Sequence, residues 1–169
     1  NLHRVEKVNC DKVDIKSEVG RKFLKEGRIK KANNLLDREF SFYGKVVRGR
    51  GIGGRLTFPT ANIKTDGNCQ LLPKNGVYHT ELFIKKDNKK YNSVCNIGIR
   101  PTFNDDKDNK TIEVHVLDET ILNIYDCDVE LIFKHRIRDE IKFNDEKELI
   151  NQINLDKEYC INNLKRKNG

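Results

Sequence analysis

This chain contains no methionine. A natural reading frame begins with one, so we expect a piece of a longer protein whose first residues continue something upstream. There is no apolar run of membrane-spanning length, which argues against a helical membrane protein. The opening "NLHRVEKVNC" has no apolar stretch of the kind a secretory signal needs. The cysteines, Cys10, Cys69, Cys95, Cys127 and Cys160, never form C-x-x-C. Odd in number and far apart, they argue against a zinc site and against a disulfide framework. Together these absences lead us to expect a soluble, cytoplasmic protein with reduced thiols and no membrane partner.

A commanding excess of one charge is also missing. Lys and Arg number 33 and Asp and Glu 26, for a net charge of +7. The bases are spread along the chain, and aromatic residues do not alternate with them on one sheet face. That argues against a nucleic-acid-binding barrel. A polyphosphate ligand would also suit a positive field. The one dense basic cluster, "LKRKN" near the end, reads as a solvated helix terminus.

What remains is enough for one ordinary core, since 36% of the 169 residues are apolar. Residues 1–40 read as helical after a short lead-in. "SEVGRKFLKEG" runs from Ser17 to Gly27, a suitable C′ residue. "RIKKANNLLDREF" places Ile29, Ala32, Leu35 and Leu36 on one helical face. From Ser41 the texture changes to short β-branched and aromatic segments. These are "SFYGKVVRG", "GVYHTELFIKK", "KKYNSVCNIG", "TIEVHVLDE" and "CDVELIFKHRI". Strands at turn-like spacing without intervening helices predict a small barrel or sandwich. The last segment, from Asn144 as N-cap, reads as a helix with Leu149, Ile153, Cys160 and Leu164 along one stripe. "NDDKDNK" reads as a polar loop.

Four stretches could carry chemistry. Glycines at 49, 51, 53 and 54 let the backbone take positive φ and approach a ligand, and exposed N–H groups there could form an anion nest. No G-K-[ST] follows, so this is not a Walker loop. A flexible hairpin loop fits equally well. In "FPTAN", alternation puts Thr60 and Asn62 on one side and Ala61 on the other. Two hard oxygens could take Mg²⁺, or could bond their own backbone in a turn. In "TIEVHVLD", Ile112, Val114 and Val116 share one face while Glu113 and His115 share the other. A carboxylate on a rigid strand suits a general base, and equally suits a wet outer face. "RIRDEIKF" offers Arg138, Asp139, Glu140 and Phe143 as either a charged corner or a lid against a flat ring.

Taken in order, "GKVVRGRG…LTFPTANI", "LLPKNGVY", "NIGIRPTF", "IEVHVLD", "IRDEIKF" and "LINQINLD" resemble the riboflavin kinase family. The resemblance is to the C-terminal kinase module of bacterial bifunctional riboflavin kinase/FAD synthetases, over residues 41–165. It implies a mainly β fold: a six-stranded Greek-key (split) barrel with a C-terminal helix, preceded by a short helical pair. It implies transfer of the ATP γ-phosphate to the riboflavin 5′-hydroxyl, giving FMN and ADP, with Mg²⁺ or another divalent cation. On this resemblance Glu113 is the catalytic base, and Thr60 and Asn62 hold the metal and the nucleotide phosphates. Gly49, Gly51, Gly53, Pro59, His115 and Tyr125 complete the ATP side. Arg138, Asp139, Glu140 and Phe143 form the flavin side.

Residues 1–40 resemble the end of the adenylyltransferase module of those bifunctional proteins, so such a module is an expected partner in a full-length chain. Lys16, Glu18 and Gly20 stand where that pattern has Ser, Thr and Ile, and its H-x-G-H motif is absent. We therefore expect no FAD synthesis from this stretch. Within the kinase part, Thr57 replaces a glycine usual before F-P-T-A-N. Ile52 and Gly54 stand where bases are common, and Asp126 follows Tyr125 where the family has glycine. A module that binds flavin or nucleotide as a sensor or scaffold, without turnover, is the alternative that Thr57 raises.

Overall fold

The computed structural model describes residues 9–10, 13–14, 17–48, 60–65, 70–99, 110–117 and 124–168. Two minimal strands come first, β1 (Asn9–Cys10) and β2 (Val13–Asp14), paired antiparallel. Helices α1 (Ser17–Lys25) and α2 (Ile29–Leu36) follow. Then come β3 (Ser41–Val47), β4 (Ala61–Thr65), β5 (Gly76–Ile84), β6 (Lys89–Ile99), β7 (Lys110–Val116) and β8 (Asp128–Arg138). Helix α3 (Glu146–Asn168) closes the chain.

The six longer strands form a closed barrel in the order β3-β4-β7-β6-β5-β8, each pair antiparallel. Strand β4 pairs with β7 rather than with its sequence neighbour β5, the crossing expected of a Greek key. Period-two alternation sends Phe42, Val46, Ile63, Leu82, Ile84, Ile97, Ile112, Val114 and Leu131 into one shared core. At its centre Phe133 meets Phe40, Phe42 and Tyr78, with ring centroids 5.7, 5.6 and 5.3 Å apart.

The helical pair belongs to the same packing. Leu24, Ile29 and Ala32 join the core cluster that the barrel builds. Asn33 donates from its amide to the Phe133 carbonyl at 2.9 Å and accepts from the Phe40 N–H at 2.8 Å. Gly27 sits at φ 75° just past α1, the left-handed geometry that ends a helix cheaply only in glycine.

Several local expectations shift by small amounts. The lead-in ahead of α1 includes the β1–β2 pair, too short for any sequence pattern. Leu36 is exposed, so the α2 stripe is Ile29, Ala32 and Leu35. The cap of α3 is Asp145 rather than Asn144: its carboxylate accepts the Glu148 N–H at 2.8 Å, while the Asn144 N–H donates to the Glu148 carboxylate. Within the α3 stripe the buried residues are Cys160 and an acid, Asp156, which is 4% exposed.

Because Phe133 fills the point where helical pair and barrel meet, we expect Phe133→Ala to cost about 3–5 kcal/mol. Urea unfolding followed by circular dichroism would check this; a loss below about 1 kcal/mol would mean the site collapses around the deletion.

Candidate active site

Strand β4 begins with Ala61 turned into the core, so Asn62 must face outward. On β7 the buried residues are Ile112 and Val114, which turns Glu113 and His115 outward. The pairing register brings these outward residues together. Asn62 lies opposite Glu113, and Glu113 lies opposite Asn96 of β6. A half-buried carboxylate thus stands between two half-buried amides, one on each neighbouring strand. Directly opposed residues of paired strands have Cβ atoms about 4.5–5.5 Å apart, within side-chain reach. Thr60, also half-buried, immediately precedes β4.

Two residues along from Asn96, the same outer face carries Gly98. A Cβ placed there would lie 2.2 Å from Glu140 Oε1. The missing side chain is therefore the slot that Glu140 occupies. This sets the Glu140 carboxylate beside the Asn62–Glu113–Asn96 row.

The backbone leading to Glu140 is gripped at Asp139. Arg136 Nη2 donates to an Asp139 carboxylate oxygen at 2.7 Å, and Lys74 Nζ lies 3.2 Å from the same oxygen. The Arg136 guanidinium, then the Lys74 ammonium, hold the Asp139 carboxyl well down, at about 2. Arg138 Nη1 donates to the Asp139 carbonyl at 2.9 Å. The rest of the Arg138 fork lies on Asp156 of α3, with Nε 3.0 and 3.2 Å and Nη2 2.7 Å from its oxygens. Phe143, half-buried, follows on the same segment.

On the β3 side, Tyr125 is half-exposed, with the Arg48 guanidinium 5.4 Å from its ring centre. The turn after it is fastened to β3, because the Asp126 N–H donates to the Val46 carbonyl at 2.8 Å. Asp126 takes φ 61°, so this turn keeps a left-handed residue without glycine. Tyr125 shares an open hollow of about 520 Å³ with Lys85, Lys86, Asp126, Cys127 and Asp128. Gly49, Gly51, Gly53 and Pro59, and with them Ile52, Gly54 and Thr57, lie outside the described residues.

The donor set suits a hard divalent cation shared with a polyphosphate. Thr60 and Asn62 offer neutral oxygens beside a carboxylate. Among the described residues no cluster of three His, Cys, Asp or Glu side chains could hold a metal by itself. Mg²⁺ is ordinarily held in this way, by one or two protein oxygens plus substrate phosphates and water. On the inward face, Cys95 is fully buried, and burial followed by the nearby Glu113 charge pushes its thiol pKa up.

Compared with known proteins, residues 36–164 match the family described as "Flavokinase: Riboflavin kinase". The chain belongs to the riboflavin kinase family. Relatives named "Bifunctional riboflavin kinase/FMN adenylyltransferase" include one from Buchnera aphidicola (subsp. Schizaphis graminum), 38% identical over 146 residues, 86% of this chain and 46% of the relative. Another, from Bacillus subtilis, is 35% identical over 158 residues, 93% of this chain and 49% of the relative. The chain thus spans about half the length of the curated relatives it matches. Among solved structures, riboflavin kinase from Trypanosoma brucei aligns with a TM-score of 0.54 at 25% identity, over 74% of this chain and 79% of that one. A Streptococcus pneumoniae structure titled as a macrolide-efflux protein aligns with a TM-score of 0.80 at 30% identity, over 94% of this chain and 50% of that one.

Against this riboflavin kinase fold, the sequence reasoning missed four residues that build the site's frame. Asn96 and Gly98 lay inside the quoted "NIGIRPTF" but received no role. Arg136 opened the quoted "RIRDEIKF" but likewise received no role. Asp156 closed "LINQINLD" and fell in the apolar stripe of α3, which was the available signal.

The depressed Asp139 pKa carries a testable sign. The folded value lies below the ordinary carboxyl value of 3.8, so the contact contributes fully above about pH 4 and is lost as pH falls through about 2. Carboxyl NMR should find that low midpoint, and Arg136→Met should move it upward. An unmoved midpoint would show that Lys74 alone sets it.

Proposed function

We propose that this chain phosphorylates riboflavin, transferring the γ-phosphate of ATP to the ribityl 5′-hydroxyl to give FMN and ADP. The observation that carries the reading is the Asn62–Glu113–Asn96 row, three polar side chains locked in register on adjacent strands of a riboflavin kinase barrel. The names of the relatives support the same substrate.

In this reading Glu113 accepts the proton of the 5′-hydroxyl as its oxygen attacks phosphorus, and the ADP oxygen leaves. A strand-borne carboxylate suits this role because its position is fixed by the ladder, not by a loop. Asn96 and Asn62 restrain it from either side. Thr60 and Asn62 would hold the divalent cation, which when bound offsets the charge on the phosphate oxygens. The glycine-bearing segment 49–56 would cover those phosphates. His115 and Tyr125 would lie on the nucleotide side, and Arg138 to Phe143 would form the flavin side. The FMN adenylyltransferase activity in the relatives' names is not proposed for residues 1–40, where Glu18 would stand against ATP phosphate. The five thiols fit a reducing cytoplasm. In the described residues no helix is long and apolar enough to cross a membrane.

The direct test mixes the chain with riboflavin, ATP and Mg²⁺ and separates the flavins over time. FMN accompanied by ADP supports the proposal; riboflavin left unchanged overturns it. Glu113→Gln should cut turnover about a hundredfold or more while leaving both substrates bound. Unchanged turnover would remove Glu113 from the proton-accepting role. Asn62→Ala should raise the Mg²⁺ concentration needed for half-maximal rate, and an unaltered Mg²⁺ dependence would exclude it as a ligand.

A further inference from the structure

The segment after β8 carries Glu140 into the site, and its anchorage is unusual for a loop. The register of β5 with β8 pairs Val77 with Arg138 and Tyr78 with Arg136, which leaves Ile137 without a partner. A bulge of this kind re-aims the side chains on either side of it. Tyr78 belongs to the barrel's core cluster, whereas Val77, though buried, lies outside it. The two arginines therefore leave the strand in different directions.

Arg136 stays on the Tyr78 side. Its guanidinium lies 5.8 Å from the Tyr78 ring centre, and its Nη2 donates to the Asn75 carbonyl at 2.7 Å. Two glycines make room for it. A Cβ at Gly27 would lie 2.6 Å from Arg136 Cδ, and one at Gly76 would lie 2.5 Å from its Nη2. Tyr78 donates its hydroxyl to the Lys74 carbonyl, and the Lys74 N–H donates to the Leu24 carbonyl at 3.0 Å. Arg136 is thus seated against the α1–α2 turn and the start of β5. Arg138 turns to α3 and its buried Asp156, which also accepts from Gln152 at 3.1 Å. Both arginines then grip Asp139, Arg136 by the carboxylate and Arg138 by the carbonyl. The next residue is Glu140, lodged over Gly98.

We propose that Arg136 and Arg138 are positioning residues. Braced on the helical pair and on α3 respectively, they clamp Asp139 and so seat Glu140 over Gly98, on the riboflavin side of the Asn62–Glu113–Asn96 row. The clamp rests on the kinase reading for the identity of the ligand. The contacts on either side of Asp139 differ in strength. Its carboxylate is exposed, so the Arg136 contact works by geometry, from a guanidinium that is itself enclosed. The Arg138–Asp156 contact is bidentate and largely buried, so losing one partner loosens both. Neither arginine need touch riboflavin for the segment to be held.

The test compares Arg136→Met, Asp139→Asn and Asp156→Asn with the unaltered chain in three measurements. These are KM for riboflavin and for ATP, riboflavin affinity by quenching of flavin fluorescence, and amide hydrogen exchange at 139–141 without ligand. Each variant should speed exchange at 139–141 and weaken riboflavin about fivefold, with KM for ATP within about twofold. Gly98→Ala, which expels Glu140 without touching the clamp, should weaken riboflavin alike and leave exchange at Asp139 unaltered. Asp139→Asn changes only an exposed side chain, so it carries the test should the buried variants fail to fold.

Exchange that does not change would overturn the clamp. Faster exchange with riboflavin affinity intact would overturn its role in placing Glu140. Equal losses for ATP and riboflavin would reduce it to general stability. If the unaltered chain binds riboflavin but makes no FMN, the kinase reading fails alone and the affinity series still judges the clamp. No riboflavin binding by the unaltered chain would overturn both.

Discussion

Closing six short strands into a barrel fixes which way every side chain points. A closed ladder has no free edge, and a one-residue slip in any strand would turn its apolar set to water. Ile112 and Val114 are buried because the barrel has one interior, and that alone forces Glu113 outward. The same rule turns Asn62 out beside Ala61 and Asn96 out between Cys95 and Ile97. The polar row is a by-product of filling the core. Its precision comes from hydrogen-bonded pairing that the core also requires.

A strict alternation cannot serve every need, and β8 departs from it. The unpaired Ile137 lets two arginines separated by one residue address different neighbours. One is enclosed by glycines near the helical pair and the other is paired with a buried acid on α3. The charged end of this strand is thereby tied into the packing on two sides. An acid as buried as Asp156 is costly unless paired, and the bidentate Arg138 fork meets that cost.

Much of this was legible in the sequence, for identifiable reasons. The β7 segment shows its faces directly, since Ile112, Glu113, Val114 and His115 alternate without interruption. The strand segments and the helical pair follow from the same periodicity, and the ordered motifs carried the family. Register was not legible. Nothing in "FPTAN" or "IEVHVLD" says that Asn62 faces Glu113, because that pairing depends on the order of strands around the barrel. Nor does a glycine in "NIGIRPTF" announce that a glutamate from a later segment will lie in its place. Asp145 and Asn144 are both good caps, and only the geometry chooses. Asp156 could have been noticed, because positions 149, 153, 156, 160 and 164 form a continuous helical stripe.

The hydrogen bond from Asn33 to the Phe133 carbonyl spans 100 residues of chain. During synthesis the helical pair leaves the ribosome before any strand of the barrel, and the strand that receives it is the last of the barrel's six. Leu24, Ile29 and Ala32 must therefore wait, with their apolar face uncovered, until nearly the whole barrel has been translated. Closure of the barrel and docking of the helices therefore fall together once the last strand is made, and helices made before the barrel are among the last parts of it to find their place. A growing chain of this design is exposed to premature sticking for longer than one whose early helices pack on each other alone.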